Sequence, residues 1–513
     1  MRRWEALFGT IGAILVLAGA YSARHASMPK HAILLEEGGC HLPATILEPP
    51  PGVNAIGTAI FLHGLSANRR LMIYLGEDFA GHGFRSYLLD LPGHGDNTDR
   101  FTFARAEQCA DVAVDSLGRG GEADPKTTIL IGHSMGASIA IRMADRNPMT
   151  ATIAISPAPM ITPRRMPSNL LVFSARYDLP PLKSQAESLQ KAAGGNRTAP
   201  DDFAERRAFE LRDVPLATHT SLLLDRRLAQ QSEQWAIRAL VPNIAPDTLA
   251  RNSATTYEAF NRRRLAGAIA GLLGLLLLFP VCATAVAKLS GPAAEHRSGT
   301  SPRYSLALAE GAVAALTAVL VLELFVPLKF LRLYAGDYLA SMLLVVGLLF
   351  LALNWKAAKT RISPDRSAWI AAALLGLATI LAVGGWLNWQ VDDAWLDGPR
   401  WLRFAAIVPV ASIFCFAEEV MLGPLYEGRR RAARAAVFLA LRLELWLACV
   451  LAYYQLASGQ MLIGILVASF AGFSLLQRLA TDVLLARTGS ATAAAVFGAI
   501  LAAWFIAAVF PLT

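Results

Sequence analysis

Charge is scarce in this chain: Asp, Glu, Lys and Arg make up 17% of its 513 residues, whereas 54% are hydrophobic. So little charge excludes one large soluble globule, and a chain of this length is expected to form at least two units. Cysteine is also sparse. The five cysteines show no C-x-x-C spacing, so neither a zinc site nor a dithiol redox site is indicated. Histidine is nearly missing from the second half, where only His296 follows His219. The net charge of +8 does not point to nucleic acid, because many basic residues stand at the ends of apolar runs, where charge sets membrane topology. No metal or organic cofactor is implied.

The composition is segregated. Mixed, polar text runs to about residue 260, and long apolar stretches follow to the end. Before both, Met1-Arg2-Arg3 leads into an apolar run from Trp4 to Tyr21, nearly long enough to span a bilayer, and Ala18-Gly19-Ala20 follows its core. An uncleaved signal anchor is expected, with a cleaved signal peptide as the alternative. The expected organisation is an anchor over 1–26, a globular domain over 27–245, a linker over 246–264 and a membrane domain over 265–513. Cys40 and Cys109 are the only cysteines outside apolar segments and could pair in an oxidising compartment.

The stretch Thr127 to Ser138, TTILIGHSMGAS, is the most informative. A β-branched, apolar run ends in Gly132-His133-Ser134-Met135-Gly136, and a helical pattern begins at once. Strand, G-x-S-x-G, helix is the arrangement of a nucleophile elbow, in which glycines two residues either side of the serine let strand and helix approach. Upstream, a strand over Thr58 to Leu62 runs into His63-Gly64-Leu65. Backbone amides of Leu65 and Met135 are the expected oxyanion donors, with His63, Gly64, Gly132, His133 and Gly136 in support. Downstream, a strand over Leu170 to Ser174 leads to Asp178. A further strand over Arg207 to Leu211 precedes the loop carrying His219. Ser134, Asp178 and His219 thus stand in the order serine, acid, histidine. Asp213 is a rival acid on the His219 side, placed too near in sequence to orient the imidazole. His94 sits in a Pro/Gly turn, where bracing that turn is the expected role.

With FLHGLSAN, LLDLPGHGDN, IGHSMGAS, SARYDLP and ATHTS in order, residues 30 to 242 resemble an α/β-hydrolase, similar to the serine-aminopeptidase and monoacylglycerol-lipase-like group. The resemblance implies a mostly parallel sheet with flanking helices, and a serine hydrolase acting on acyl esters through an acyl-enzyme. Acyl transfer to another acceptor is the alternative. One departure from the group matters: Ser156 to Asn169 leaves no room for a helical cap. The pocket is therefore expected to be open unless the membrane region or the polar segment from Ala192 to Arg206 covers it.

Beyond Arg262-Arg263-Arg264, eight apolar spans are expected, at about 265–287, 305–326, 337–354, 368–388, 402–422, 435–455, 460–477 and 490–511, giving an all-α polytopic domain. Loop charges alternate. Arg2 and Arg3, then Lys288, Arg297 and Arg303, then Lys356, Lys359, Arg361 and Arg366, then Arg429, Arg430, Arg431 and Arg434 fall on one side. Lys329, Arg332, Asp392, Asp393, Asp397 and an uncharged turn at 457–460 fall on the other. The positive-inside rule puts the first set in the cytoplasm and the hydrolase outside, as expected of a bacterial inner-membrane protein; Arg262 to Arg264 dissent. Partners implied are the lipid bilayer and a small or lipid-like acyl ester; nucleic acid is not expected. A transporter or receptor with an accessory hydrolase is a third reading. The Glu418-Glu419 pair resembles the CAAX-protease and bacteriocin-processing family. That pattern needs arginine four positions on, where Gly423 stands, and histidines on later spans. A structural ion pair between these glutamates and Arg442 is expected instead.

Overall fold

The computed structural model describes residues 2–25, 29–243, 256–289, 303–362, 365–390, 394–425, 429–455 and 461–513. His296, Arg297, Asp392, Asp393, the 457–460 turn and most of the expected linker lie outside the described residues. The chain forms two compact units. One comprises Gly19–Ala268, Leu387–Asp393 and Pro511–Thr513; the other comprises Met1–Ala18, Ile269–Trp386 and Ala394–Phe510.

In the first unit eight strands form one sheet: β1 (Lys30–Glu37), β2 (Cys40–Leu47), β3 (Gly57–Leu62), β4 (Phe84–Leu89), β5 (Thr128–His133), β6 (Ala151–Ile155), β7 (Leu170–Ala175) and β8 (Phe209–Val214). The spatial order is β1-β2-β4-β3-β5-β6-β7-β8, antiparallel up to the β2–β4 pair and parallel from β4 onward. Parallel strands need crossover connections, and those put helices on both faces, so the central strands read as unbroken apolar runs. Strand β7 shows the consequence. Leu171, Phe173 and Ala175 join the core on one face with Phe61, Phe79 and Trp235, while Leu170 and Val172 join Ile141, Leu189 and Phe209 on the other. No helix interrupts residues 157–169 between β6 and β7, so no cap is inserted there, as the shortage of residues predicts.

Two sequence expectations need correction. Strand β8 begins at Phe209 rather than Arg207, because Arg207 donates its amide to the Asp202 carbonyl at 2.8 Å and Arg206 turns with φ of 55°. The segment from Ala192 to Arg206 does not cover the carboxyl edge of the sheet. Arg197 bridges to Phe209 at the start of β8, and the Asn169 side chain at the start of β7 reaches the Phe203 carbonyl. That segment closes the amino end.

Cys40 and Cys109 form a disulfide with Cα atoms 5.5 Å apart, within the usual range. It ties β2 to helix α1 of this unit's crossovers (Phe103–Arg119), 69 residues away in sequence. By the loop-closure argument such a bond is worth roughly 2–4 kcal/mol. A Cys40→Ser, Cys109→Ser protein is therefore expected to unfold at lower denaturant concentration, with a slope that rises because its unfolded chain is less constrained, as followed by circular dichroism. An unchanged midpoint would contradict this.

Among the described residues, eight helices are long and apolar enough to cross a membrane, including Trp4–Ser22 and Arg263–Lys288. The expected span at 460–477 lies in helix Met461–Thr488, which is not one of the eight and carries Arg478, Asp482 and Arg487 in its second half. Arg487 pairs with Glu5 at 2.7 Å, whereas Arg478 and Asp482 belong to a buried network. Arg442 meets Glu418 at 3.0 Å, as expected, while Arg434 meets Glu419 at 3.0 Å and Asp482 at 2.5 Å. Arg478 bridges Glu419 at 2.6 Å and Asp482 at 2.7 Å. Three cations against three carboxylates leave no net charge, which is how such groups become tolerable away from water. The dissenting Arg264 is neutralised as well: its buried guanidinium pairs with the buried Glu77, so it is no free topological charge.

Candidate active site

The serine follows directly from the strand–turn–helix geometry. Ser134 sits between β5 and helix α2 of the crossovers (Met135–Arg146) with φ of 54° and ψ of −116°, a conformation that costs an L-residue of order 1–3 kcal/mol. Both flanking glycines are sterically required. A Cβ on Gly132 would lie 2.2 Å from the Gly136 carbonyl oxygen, and one on Gly136 would lie 2.1 Å from that of Leu62. The Ser134 amide donates to the Ile155 carbonyl at 2.8 Å, which extends the β5–β6 pairing through the turn.

The acid and the histidine emerge from neighbouring strands at the same edge. Asp178 lies three residues beyond β7 and His219 lies beyond β8, in a loop held by the Tyr177 amide donating to the Ala217 carbonyl at 3.0 Å. His219 Nδ1 stands 3.0 Å from Asp178 Oδ1, and both side chains are buried. Burial pushes the Asp178 carboxyl upward. Hydrogen bonds from His219, Ser156 and the Leu179 amide outweigh it and hold the group below the ordinary carboxylate range. Asp178 therefore stays ionised at neutral pH. Asp213, the rival acid, is the fifth residue of β8, largely exposed and 3.8 Å from Arg176, so it does not serve His219.

The proposed donor side is equally well braced. Gly64 is so close to the elbow that a Cβ there would stand 3.0 Å from the Ser134 Cβ. His63 Nε2 accepts the Leu91 amide at 3.0 Å, so its Nδ1 carries the proton donated to the Gly64 carbonyl at 2.8 Å. Burial lowers the His63 pKa to about 4, and the ring remains a neutral two-sided brace. Asp90 anchors the same corner, accepting the Arg69 amide at 2.7 Å and the Arg69 guanidinium. Met135 is the first residue of its helix, and Leu65 lies in the turn that follows His63 and Gly64. A helix N-terminus is a natural seat for a developing negative charge. His94 braces its own turn through Nδ1 and the Pro92 carbonyl, 2.8 Å apart.

Two residues do more than the sequence indicated. His133 bonds through Nε2 to the His219 carbonyl at 3.0 Å, with the two rings 4.8 Å apart, so the elbow itself holds the histidine loop. Burial lowers its pKa to about 3 and keeps it neutral. Ser156, immediately after β6, reaches both Asp178 and His219. Nothing in the sequence singled it out, since a lone serine after a strand has no signature. Among the described residues no three His, Cys, Asp or Glu side chains are grouped to hold a metal ion.

Residues 59–269 match the profile of the alpha/beta hydrolase family. A Mycobacterium phage D29 protein named as a non-heme haloperoxidase is 33% identical over 107 residues, 20% of this chain and 37% of that protein. A pimeloyl-[acyl-carrier protein] methyl ester esterase of Nitrosospira multiformis is 33% identical over 89 residues, 17% of this chain and 33% of that protein. The chain thus spans about a third of the length of these curated relatives. Among solved structures, the dienelactone hydrolase of Anabaena variabilis is 20% identical with a TM-score of 0.32, covering 41% of this chain and 97% of its own. A lidless α/β serine hydrolase of Xanthomonas campestris is 18% identical with a TM-score of 0.35, covering 43% and 98%.

Proposed function

Residues 59–269 belong to the α/β-hydrolase family, and on that premise we propose that the chain is a membrane-anchored serine esterase with Ser134 as nucleophile. The observation that carries this reading is the buried Asp178–His219 hydrogen bond at the sheet edge where the strained Ser134 turn also emerges. His219 takes the Ser134 proton during attack on the acyl carbon and returns it to the leaving alcohol. Asp178 holds the Nδ1–H tautomer and stabilises the imidazolium. The Leu65 and Met135 amides receive the oxyanion, each worth about 3 kcal/mol in comparable sites. Water then attacks the acyl-enzyme by the same relay. The site belongs to a chain rich in helices of spanning length, so lipid-like acyl esters are the substrate class we favour.

The proposed topology places the hydrolase outside the cytoplasm. One observation supports it besides loop charge: the Cys40–Cys109 disulfide suits an oxidising compartment.

The test is acyl-ester hydrolysis by the full chain in detergent. Release of one acid per alcohol from p-nitrophenyl esters is expected. No turnover on any chain length would reject the reading.

A further inference from the structure

We propose that Ser156 is a positioning residue of the hydrolytic site, fixing the carboxylate and the imidazole tautomer together. This rests on the serine-esterase reading above and adds a fourth side chain to it. Ser156 is buried, and its backbone is held in the left-handed region at φ of 46° by its amide donating to the Phe173 carbonyl at 2.8 Å. That turn aims the hydroxyl at Asp178 rather than along the strand. Its Oγ–H donates to Asp178 Oδ2, and the same Oγ lies 3.1 Å from His219 Nδ1.

The donors and acceptors around the pair then account for one another. Asp178 Oδ1 receives the His219 Nδ1–H at 3.0 Å and the Leu179 amide at 3.1 Å. Oδ2 receives the Ser156 hydroxyl. With its own hydrogen committed to the carboxylate, Ser156 Oγ turns lone pairs toward Nδ1–H, giving that proton an acceptor besides the two carboxylate oxygens at 3.0 and 3.3 Å. Nδ1 thereby keeps its proton, and Nε2 is left as the basic nitrogen. The charged or titratable groups facing His219 are Asp178 and His133, and His133 stays neutral across the working range because burial lowers its pKa to about 3.

Removing the hydroxyl leaves Oδ2 buried without that donor, and a carboxylate with fewer hydrogen bonds is more basic and holds the imidazolium more strongly. Two variants separate this effect from backbone strain. Ser156→Gly suits the left-handed backbone and lacks the hydroxyl; Ser156→Ala lacks the hydroxyl and keeps the Cβ. Full-length protein carrying either is expected to lose about tenfold in kcat with KM little changed. The acidic limb of its pH–rate profile should move from its wild-type position, and a fluorophosphonate should still label it, reporting a folded site. If Ser156→Gly retains wild-type kcat and the wild-type limb, the proposal is overturned, whatever Ser156→Ala does. Failure of the parent reading looks different: the unmodified protein itself would neither turn over ester nor label.

Discussion

Replacing Ser134 with alanine is expected to lower kcat on an acyl ester by roughly 10⁵-fold or more, with the unfolding midpoint unchanged. The size of the loss follows from the mechanism: without Oγ there is no acyl-enzyme, and only binding and the oxyanion donors are left to accelerate attack by water. Stability should hold because alanine meets the same backbone demand at φ of 54°, and the hydroxyl anchors no structural hydrogen bond among the described residues. Stopped assays with enough enzyme to see a trace rate would measure it. Loss of less than about tenfold would mean that another nucleophile does the work.

Asp178→Asn should cost roughly 10⁴-fold in kcat, more than its small change in shape suggests. The amide keeps the volume but removes the charge that stabilises the imidazolium. It also offers an N–H where His219 Nδ1 needs an acceptor, which drives the proton to Nε2, the nitrogen that must accept from Ser134. Ser156 cannot compensate, since its Oγ is a neutral acceptor 3.1 Å from Nδ1. A variant that loses activity but regains it steeply at high pH would fit this account. One that retains near-normal kcat at neutral pH would show that another carboxylate serves His219, although Asp213 points to solvent beside Arg176.

Much of this site could be read from the sequence because its chemistry demands residue types at short range. Gly132 and Gly136 are dictated by contacts near 2 Å, and only glycine meets them, so the elbow is written locally. The missing cap was legible as a simple shortage of residues between β6 and β7. What stayed hidden depends on distant contacts. Ser156 acquires meaning only when β6, β7 and β8 align at one edge. His133 reads as a turn residue until the His219 carbonyl arrives to meet it. Arg264 looked like a misplaced topological charge because Glu77, 187 residues earlier, gives no sequence sign of pairing with it. Likewise the Glu418–Arg442 pair was visible from matching depths in adjacent spans. The contributions of Arg434, Arg478 and Asp482 needed the helices packed. The two short segments near residues 387–390 and 511–513 join the first unit through contacts no periodicity encodes, such as the Leu512 carbonyl accepting the Phe101 amide at 2.7 Å.

In the proposed mechanism the hydroxyl of Ser134 is made nucleophilic by the Asp178–His219 relay behind it. The most direct measurement is covalent: treat the intact protein with a fluorophosphonate, weigh it, and map the modified peptide. One adduct per chain on Ser134, absent from Ser134→Ala and slowed in Asp178→Asn, is the expected result. An unlabelled wild-type protein, or an adduct that persists after Ser134→Ala, would contradict it.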